Sequence, residues 1–209
     1  MQTFVIIPVK RLDMAKSRLS TILTPNERRE LALAMLTDVI QASIEAKSVD
    51  NVVVVSSDNL ALKYVEGLGA HAMLDMGGLN AAVKRAMEWC AKHGATATLT
   101  IPLDLPLLKP IDIDGIVNLL GERRGMVLCP STDGGTNALL CSPPNIIEPR
   151  FGPKSFHKHI LEASKRGIPF SIYNSPRVSL DIDTPMDLKR LIIGKVGAHT
   201  RMYLRRLGR

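Results

Sequence analysis

At 209 residues the chain can fill one core and carry a small appendage, but it falls short of two full domains. Its 45% hydrophobic and 22% charged residues are ordinary for a globular protein, and no apolar run approaches the roughly 20 residues of a membrane helix, so no membrane partner is expected. A net charge of +7 points to anionic partners, yet 4% aromatics leave little stacking surface for nucleic acid, and three cysteines without a CxxC pair read as buried thiols.

Short runs rich in Val, Ile and Thr alternate with helical patterns. The first strand is predicted over residues 3–9; its apolar run stops at Pro8 and precedes Lys10 and Arg11, the reverse of a signal peptide, so a cytoplasmic location is expected. Thr24-Pro25-Asn26-Glu27 is a capping box that opens a helix to about residue 46. Strand 51–56, helix 59–66, strand 70–74, helix 79–93 closed by Gly94, strand 95–101 and helix 111–122 follow. Then come strands 125–130 and 138–142, helix 155–166 closed by Gly167, strand 170–173, and helix 185–193 with Thr184 as N-cap. Alternation of apolar strands with helices implies a mostly parallel sheet covered on both faces. The turn-rich stretch 131–153 breaks the rhythm, and antiparallel pairing is expected there. Residues 1–194 are read as one domain and 195–209 as a basic tail carrying Lys195, Arg201, Arg205, Arg206 and Arg209. Met202, Tyr203, Leu204 and Leu207 in that tail suggest packing against a second subunit, hence a homodimer.

Chemistry concentrates at strand ends, where α/β proteins bind their ligands. After the first strand, Lys10, Arg11, Lys16 and Arg18 place four cations within nine residues, a phosphate clamp by side-chain charge because the loop has no glycine. Asp104, stiffened by Pro102 and Pro106, follows the strand ending near Ile101. Asp181 and Asp183 lie two apart in an extended apolar segment read as a strand giving way to a helix, so both side chains point one way and can converge on a hard cation. With Asp104 they form an oxygen-rich set suited to magnesium. Paired glycines in Met76-Gly77-Gly78-Leu79-Asn80 and Asp133-Gly134-Gly135-Thr136-Asn137 let a ligand approach the main chain. Ser155, after Phe151-Gly152-Pro153-Lys154, is read as the cap of the next helix and as an anion site. His157 and His159 diverge on a helix and are read as surface or core histidines, not a zinc pair. A DxDx[TV] phosphatase is rejected, because Pro185 stands where that motif needs threonine or valine.

Taken together, Ile7-Pro8-Val9-Lys10 with Ala15-Lys16-Ser17-Arg18-Leu19, Gly77-Gly78-Leu79-Asn80, Asp104-Leu105-Pro106, Gly134-Gly135-Thr136-Asn137, Phe151-Gly152-Pro153-Lys154-Ser155-Phe156 and Leu180-Asp181-Ile182-Asp183-Thr184-Pro185 resemble the 2-phospho-L-lactate guanylyltransferase family. The resemblance spans nearly the whole chain and implies a three-layer, Rossmann-like nucleotidyltransferase fold of the GT-A-like kind, with a mixed, mostly parallel sheet. The implied reaction joins GTP to a phosphorylated three-carbon acid and releases pyrophosphate, on the route to coenzyme F-420. It implies Mg2+ on Asp104, Asp181 and Asp183, with Lys10, Lys16 and Arg18 on the leaving pyrophosphate. The acid would be gripped by Thr136, Gly152 and Ser155, and the nucleotide by Pro8, Val9, Ser56, Gly78, Leu79 and Asn80. Phosphoenolpyruvate as acceptor, transfer to a sugar phosphate, and a silent nucleotide-binding module are the alternatives.

Overall fold

The computed structural model describes residues 1–193 and 196–208. The proposed domain boundary, with Lys195, and the terminal Arg209 lie outside the described residues. Seven strands form one sheet: β1 (Thr3–Val9), β2 (Asn51–Ser56), β3 (His71–Leu74), β4 (Ala97–Thr100), β5 (Gly125–Pro130), β6 (Thr136–Ser142) and β7 (Phe170–Ile172). Their order is β3-β2-β1-β4-β6-β5-β7, parallel except for β6, which runs antiparallel to β4 and β5. The antiparallel pairing therefore falls within the segment where the turn residues break the strand-helix rhythm.

Eight α-helices and two short 3-10 helices, Leu12–Met14 and Ser17–Leu19, complete the described fold; the α-helices are α1 (Pro25–Glu45), α2 (Asn59–Glu66), α3 (Leu79–Lys92), α4 (Pro110–Leu120), α5 (Ser155–Lys165), α6 (Pro176–Ser179), α7 (Pro185–Ile193) and α8 (Ala198–Arg206). Helix α1 begins at the expected capping box, where the Thr24 hydroxyl accepts from the Glu27 amide and the Glu27 carboxylate accepts from the Thr24 amide. Alternate residues of the central strands face opposite layers. Val5 and Ile7 pack with Leu36, Ile40, Ile113 and Ile116 from α1 and α4, whereas Phe4 and Ile6 pack with Val83, Met87 and Ala163 from α3 and α5. Cys90, Cys129 and Cys141 are buried free thiols, and burial raises the pKa of all three. No described helix is long and apolar enough to cross a membrane.

A third apolar cluster positions the site. Leu19 from the basic loop, Leu31 and Met35 from α1, Ile182, and Tyr203 and Leu204 from α8 pack together. Helix α8 is a feature that the basic composition of the tail conceals. Its first turn is held by Asp38 of α1, whose carboxylate oxygens accept from the amides of His199 (3.0 Å) and Thr200 (2.9 Å). The Tyr203 hydroxyl donates to the Glu27 carbonyl at 2.9 Å. The apolar tail residues assigned to a subunit contact are thus largely covered by their own chain; Tyr203 and Leu204 are buried and only Met202 is strongly exposed. Burying Leu204 stabilises this docking by about 1.5–3 kcal/mol.

The structure differs from expectation before α7. Residues 180–183 do not form a strand. The chain instead leaves the sheet at β7 and enters α6, whose Arg177 donates twice, at 2.7 Å each, to the buried Asp112 carboxylate. With α6 pinned to α4 in this way, the aspartate segment runs as a loop across the strand ends.

Candidate active site

A cavity of about 410 Å³ opens beyond the carboxyl ends of β1 and β4, with Lys10, Lys16, Arg18, Asp104, Thr136 and Asp183 in its wall. A neighbouring groove of about 320 Å³ shares Pro8, Lys10 and Leu79 and adds Val9, Ser56 and Gly78. Of the residues proposed from sequence for a nucleotide, Pro8, Val9, Ser56, Gly78 and Leu79 therefore lie beside those proposed for its phosphates, whereas Asn80 lines neither space.

On one wall the three aspartates converge. One carboxylate oxygen from each of Asp104, Asp181 and Asp183 lies within 4.8 Å of the others. Local packing dictates this aim: Ile182 is fully buried in the third cluster, so the side chains flanking it turn the other way. The Ile182 amide also donates to the Asp104 carbonyl at 3.1 Å, locking the two aspartate loops together. Thr184 and Asp187 then cap α7 reciprocally, as the Asp187 carboxylate accepts from the Thr184 amide at 2.9 Å and the Thr184 hydroxyl from the Asp187 amide at 3.3 Å. Asn137 of β6 steadies Asp181 by donating to its Oδ1 at 3.1 Å and to the Val178 carbonyl at 2.9 Å.

Lys16 reaches into this cluster from a left-handed backbone position, φ 52°. Its Nζ lies 2.5 Å from Asp104 Oδ2 and 3.0 Å from Asp183 Oδ1. Burial disfavours the ammonium charge, but the Asp104 and Asp183 carboxylates more than offset it, and the Lys16 pKa is raised. Asp181 moves upward too, through burial first, opposed by the Asn137 hydrogen bond and reinforced by the neighbouring carboxylates. Arg18 is mostly exposed and approaches Asp183 at 3.6 Å. The cluster fits a hard divalent cation: its donors are carboxylate oxygens, and Asp104 Oδ1 is buried with no hydrogen-bond partner among the described residues.

Another part of the wall, around Thr136, is neutral. Thr136 stands at a register shift where β5 and β6 begin to pair, the kind of irregularity that re-aims a side chain at a sheet end. Behind it, Ser155 is 1% exposed and donates to Thr136 Oγ1 at 3.2 Å. Ser155 is the first residue of α5, not its cap; that place falls to Lys154 in a left-handed conformation without a side-chain bond. Gly152 makes the preceding turn at φ 122°, its carbonyl accepting from the Ser155 amide at 3.0 Å. His159 is fully buried, with Nδ1 3.0 Å from Thr136 Oγ1 and Nε2 accepting from the Arg150 amide at 3.0 Å. Burial first, then the charges of Arg150 and Lys158, push its pKa down to about 4. The Asn80 amide exchanges hydrogen bonds with the Phe151 backbone, at 3.1 and 2.7 Å, and ties the start of α3 to this wall.

The cationic loop and the aspartates are legible in the sequence, whereas the roles of Asn137 and His159 are not. Asn137 stands inside a quoted loop motif, next to Thr136, which was its only signal. His159 carried none, since its partners Thr136 and Arg150 are 23 and nine residues away.

The model of the family described as "Guanylyl transferase CofC like" matches residues 3–209. The 2-phospho-L-lactate guanylyltransferase of Methanothermobacter thermautotrophicus is 41% identical over 209 residues, covering 99% of this chain and 92% of the relative. The phosphoenolpyruvate guanylyltransferase of Sphaerobacter thermophilus is also 41% identical, over 193 residues, covering 91% and 93%. Among solved structures, one described as a putative nucleotide-diphospho-sugar transferase from Desulfovibrio desulfuricans superposes with a TM-score of 0.79 at 17% identity, over 99% of this chain and 95% of that one. A nucleotidyl transferase from Methanothermobacter thermautotrophicus gives 0.67 at 13% identity, over 98% and 99%. These structures share the α/β fold with this chain.

Proposed function

The chain belongs to the guanylyl transferase CofC-like family, and from that premise we propose that it joins GTP and 2-phospho-L-lactate to give lactyl-2-diphospho-5′-guanosine and pyrophosphate, in coenzyme F-420 biosynthesis. The observation that carries this reading is the convergence of Asp104, Asp181 and Asp183 on one another at the edge of a cavity that Asp104, Asp183 and the Lys10–Arg18 loop wall. An oxygen of the acceptor's phosphate attacks the α-phosphorus of GTP; the bond from that phosphorus to the bridging oxygen breaks, and pyrophosphate leaves with the electron pair. The nucleophile is already anionic near neutral pH, so the chain need not supply a general base.

Its own residues bind, orient and neutralise. Lys10 and Arg18 face the polyphosphate, Lys16 holds Asp104 and Asp183 in place, and Pro8, Val9, Ser56, Gly78 and Leu79 enclose the nucleoside. Asn80 acts on the nucleotide side through the Phe151 backbone it holds. Asp104, Asp181 and Asp183 would hold Mg2+, which when bound supplies positive charge to the phosphates being joined. Thr136, with Ser155 behind it and the exposed Gly152 turn holding the Ser155 amide, receives the three-carbon acid.

A second reading, phosphoenolpyruvate as acceptor, is favoured by one observation: a relative of that name is as identical to the chain as the phospholactate enzyme. The two acids differ by two hydrogens, a difference a phosphate- and carboxylate-reading pocket discriminates weakly. Pyrophosphate release from GTP and magnesium, with each acid in parallel and ATP, CTP and UTP as donor controls, tests both. Release that requires GTP and an acid supports the transferase and identifies the acceptor by the faster rate; GTP binding without release would turn the reading to a silent module. The proposal extends to a cytoplasmic enzyme acting as a homodimer. With Tyr203 and Leu204 packed on α1, Met202 is the main apolar contribution the tail has left for a partner, and the mass of the full chain in solution checks the assembly.

A further inference from the structure

A chain of polar groups behind the neutral wall has a direction. The Arg150 backbone amide can only donate, so His159 Nε2 is the acceptor, and a neutral ring must then carry its proton on Nδ1. Nδ1–H donates to Thr136 Oγ1, and Ser155 donates to the same oxygen. Both lone pairs of Thr136 are thereby engaged, and its hydroxyl proton has no acceptor among the described residues. Thr136 lines the cavity while Ser155 and His159 are sealed behind it, so among these three side chains this proton is the one turned free for a ligand. In the other tautomer the ring would accept the Thr136 proton, and Thr136 would offer none.

We propose that His159 is a positioning residue that sets Thr136 as an obligate hydrogen-bond donor to an anionic oxygen of the acceptor acid. The proposal rests on the reading above, in which this wall receives the acid. Burial keeps the ring neutral, its pKa pushed down to about 4, so the orientation persists throughout the neutral range. The edge of the ring against Phe151, at 5.2 Å between centroids, fixes its plane. An anion needs donors, and a hydroxyl free to rotate could meet it with a lone pair; engaging those lone pairs from behind removes that unproductive orientation.

Two substitutions separate direction from packing. In His159→Asn the side-chain amide can place an N–H where Nδ1–H stood, whereas His159→Gln places its amide near Nε2 and leaves Thr136 Oγ1 without that donor. Steady-state kinetics with GTP and the faster acceptor should show that His159→Gln raises the acceptor KM by about tenfold or more, with the GTP KM changed less than about twofold, as for a lost hydrogen bond to a charged group. His159→Asn should recover most of that loss, and Thr136→Val with His159→Gln should cost little beyond Thr136→Val alone, because the two act as a unit. Equal damage from Asn and Gln, or a GTP KM that rises in step, would reduce His159 to a packing residue and overturn the proposal. If neither variant folds, nitrogen NMR of the wild-type ring still decides, since a ring protonated on Nε2 refutes it and one protonated on Nδ1 upholds the donor direction. Wild-type protein inactive with both acids but protonated on Nδ1 would instead fault the assignment of the acceptor.

Discussion

The two walls of the cavity solve opposite electrostatic problems. The aspartate wall gathers three carboxylates and a buried ammonium, and leaves Asp104 Oδ1 without a hydrogen-bond partner among the described residues. The threonine wall is built from neutral groups whose hydrogen bonds run in one direction, from the Arg150 amide through His159 to Thr136. One gathers negative charge that suits a cationic ligand, whereas the other leaves a single hydroxyl proton whose direction is set before any ligand arrives. Charge is thus left for binding to settle, and orientation is settled by folding.

Substitutions that strike one wall should give different signatures from those that strike the other. The largest effect is expected at Asp181→Asn, which should lower turnover by about a hundredfold or more with the fold intact; near-wild-type turnover at saturating magnesium would remove the metal role from this wall. Next comes acidification, which reads the neutral wall. The folded-state pKa of His159 is depressed to about 4 from its ordinary 6.5, so its contribution is fully present above 6.5 and lost as pH falls towards 4. Over that window the unfolded chain takes up a proton that the folded chain refuses, which costs about 3 kcal/mol of stability. Denaturant titrations at several pH values should show this loss, and His159→Gln should flatten it.

A smaller effect belongs to Lys16→Met. Removing the cation leaves Asp104 and Asp183 facing each other, and stability measured in chelator should drop by about 1–3 kcal/mol, with magnesium restoring more stability to the variant than it adds to wild type. If magnesium adds equally to both, Lys16 and the metal do not answer the same charge. The smallest expected effect is at Asn137→Ala, which loosens Asp181 from the sheet: about tenfold in turnover and about 1 kcal/mol in stability, measured by kinetics and thermal melts.

Much of the fold is legible in the sequence because its signals are local. The Thr24–Glu27 box marks the start of α1, Asn59–Glu66 is recovered at both ends, and Asp181 and Asp183 carry the alternation that lets them converge. What escapes has its cause far along the chain. Helix α8 depends on a carboxylate of α1, 161 residues from the amide it caps, and no window around Ala198 contains it. The absence of a strand at 180–183 depends on Arg177 finding Asp112, which pins α6 and carries the following segment over the strand ends. The orientation of Thr136 depends on a histidine whose ring atoms are told apart only by what each one touches.

Lys16 bonds to Asp183 across 167 residues, and Ile182 between the aspartates is packed with Leu19 beside that lysine. Contacts of such long sequence separation form only after extensive loop closure, and loops held by them are slow to find their place. On the proposed reading of the site, catalytic competence and the meeting of these distant segments are one event. During refolding, recovery of turnover should trail the return of helical signal, and the enzyme's own product becomes a clock for its last step of assembly.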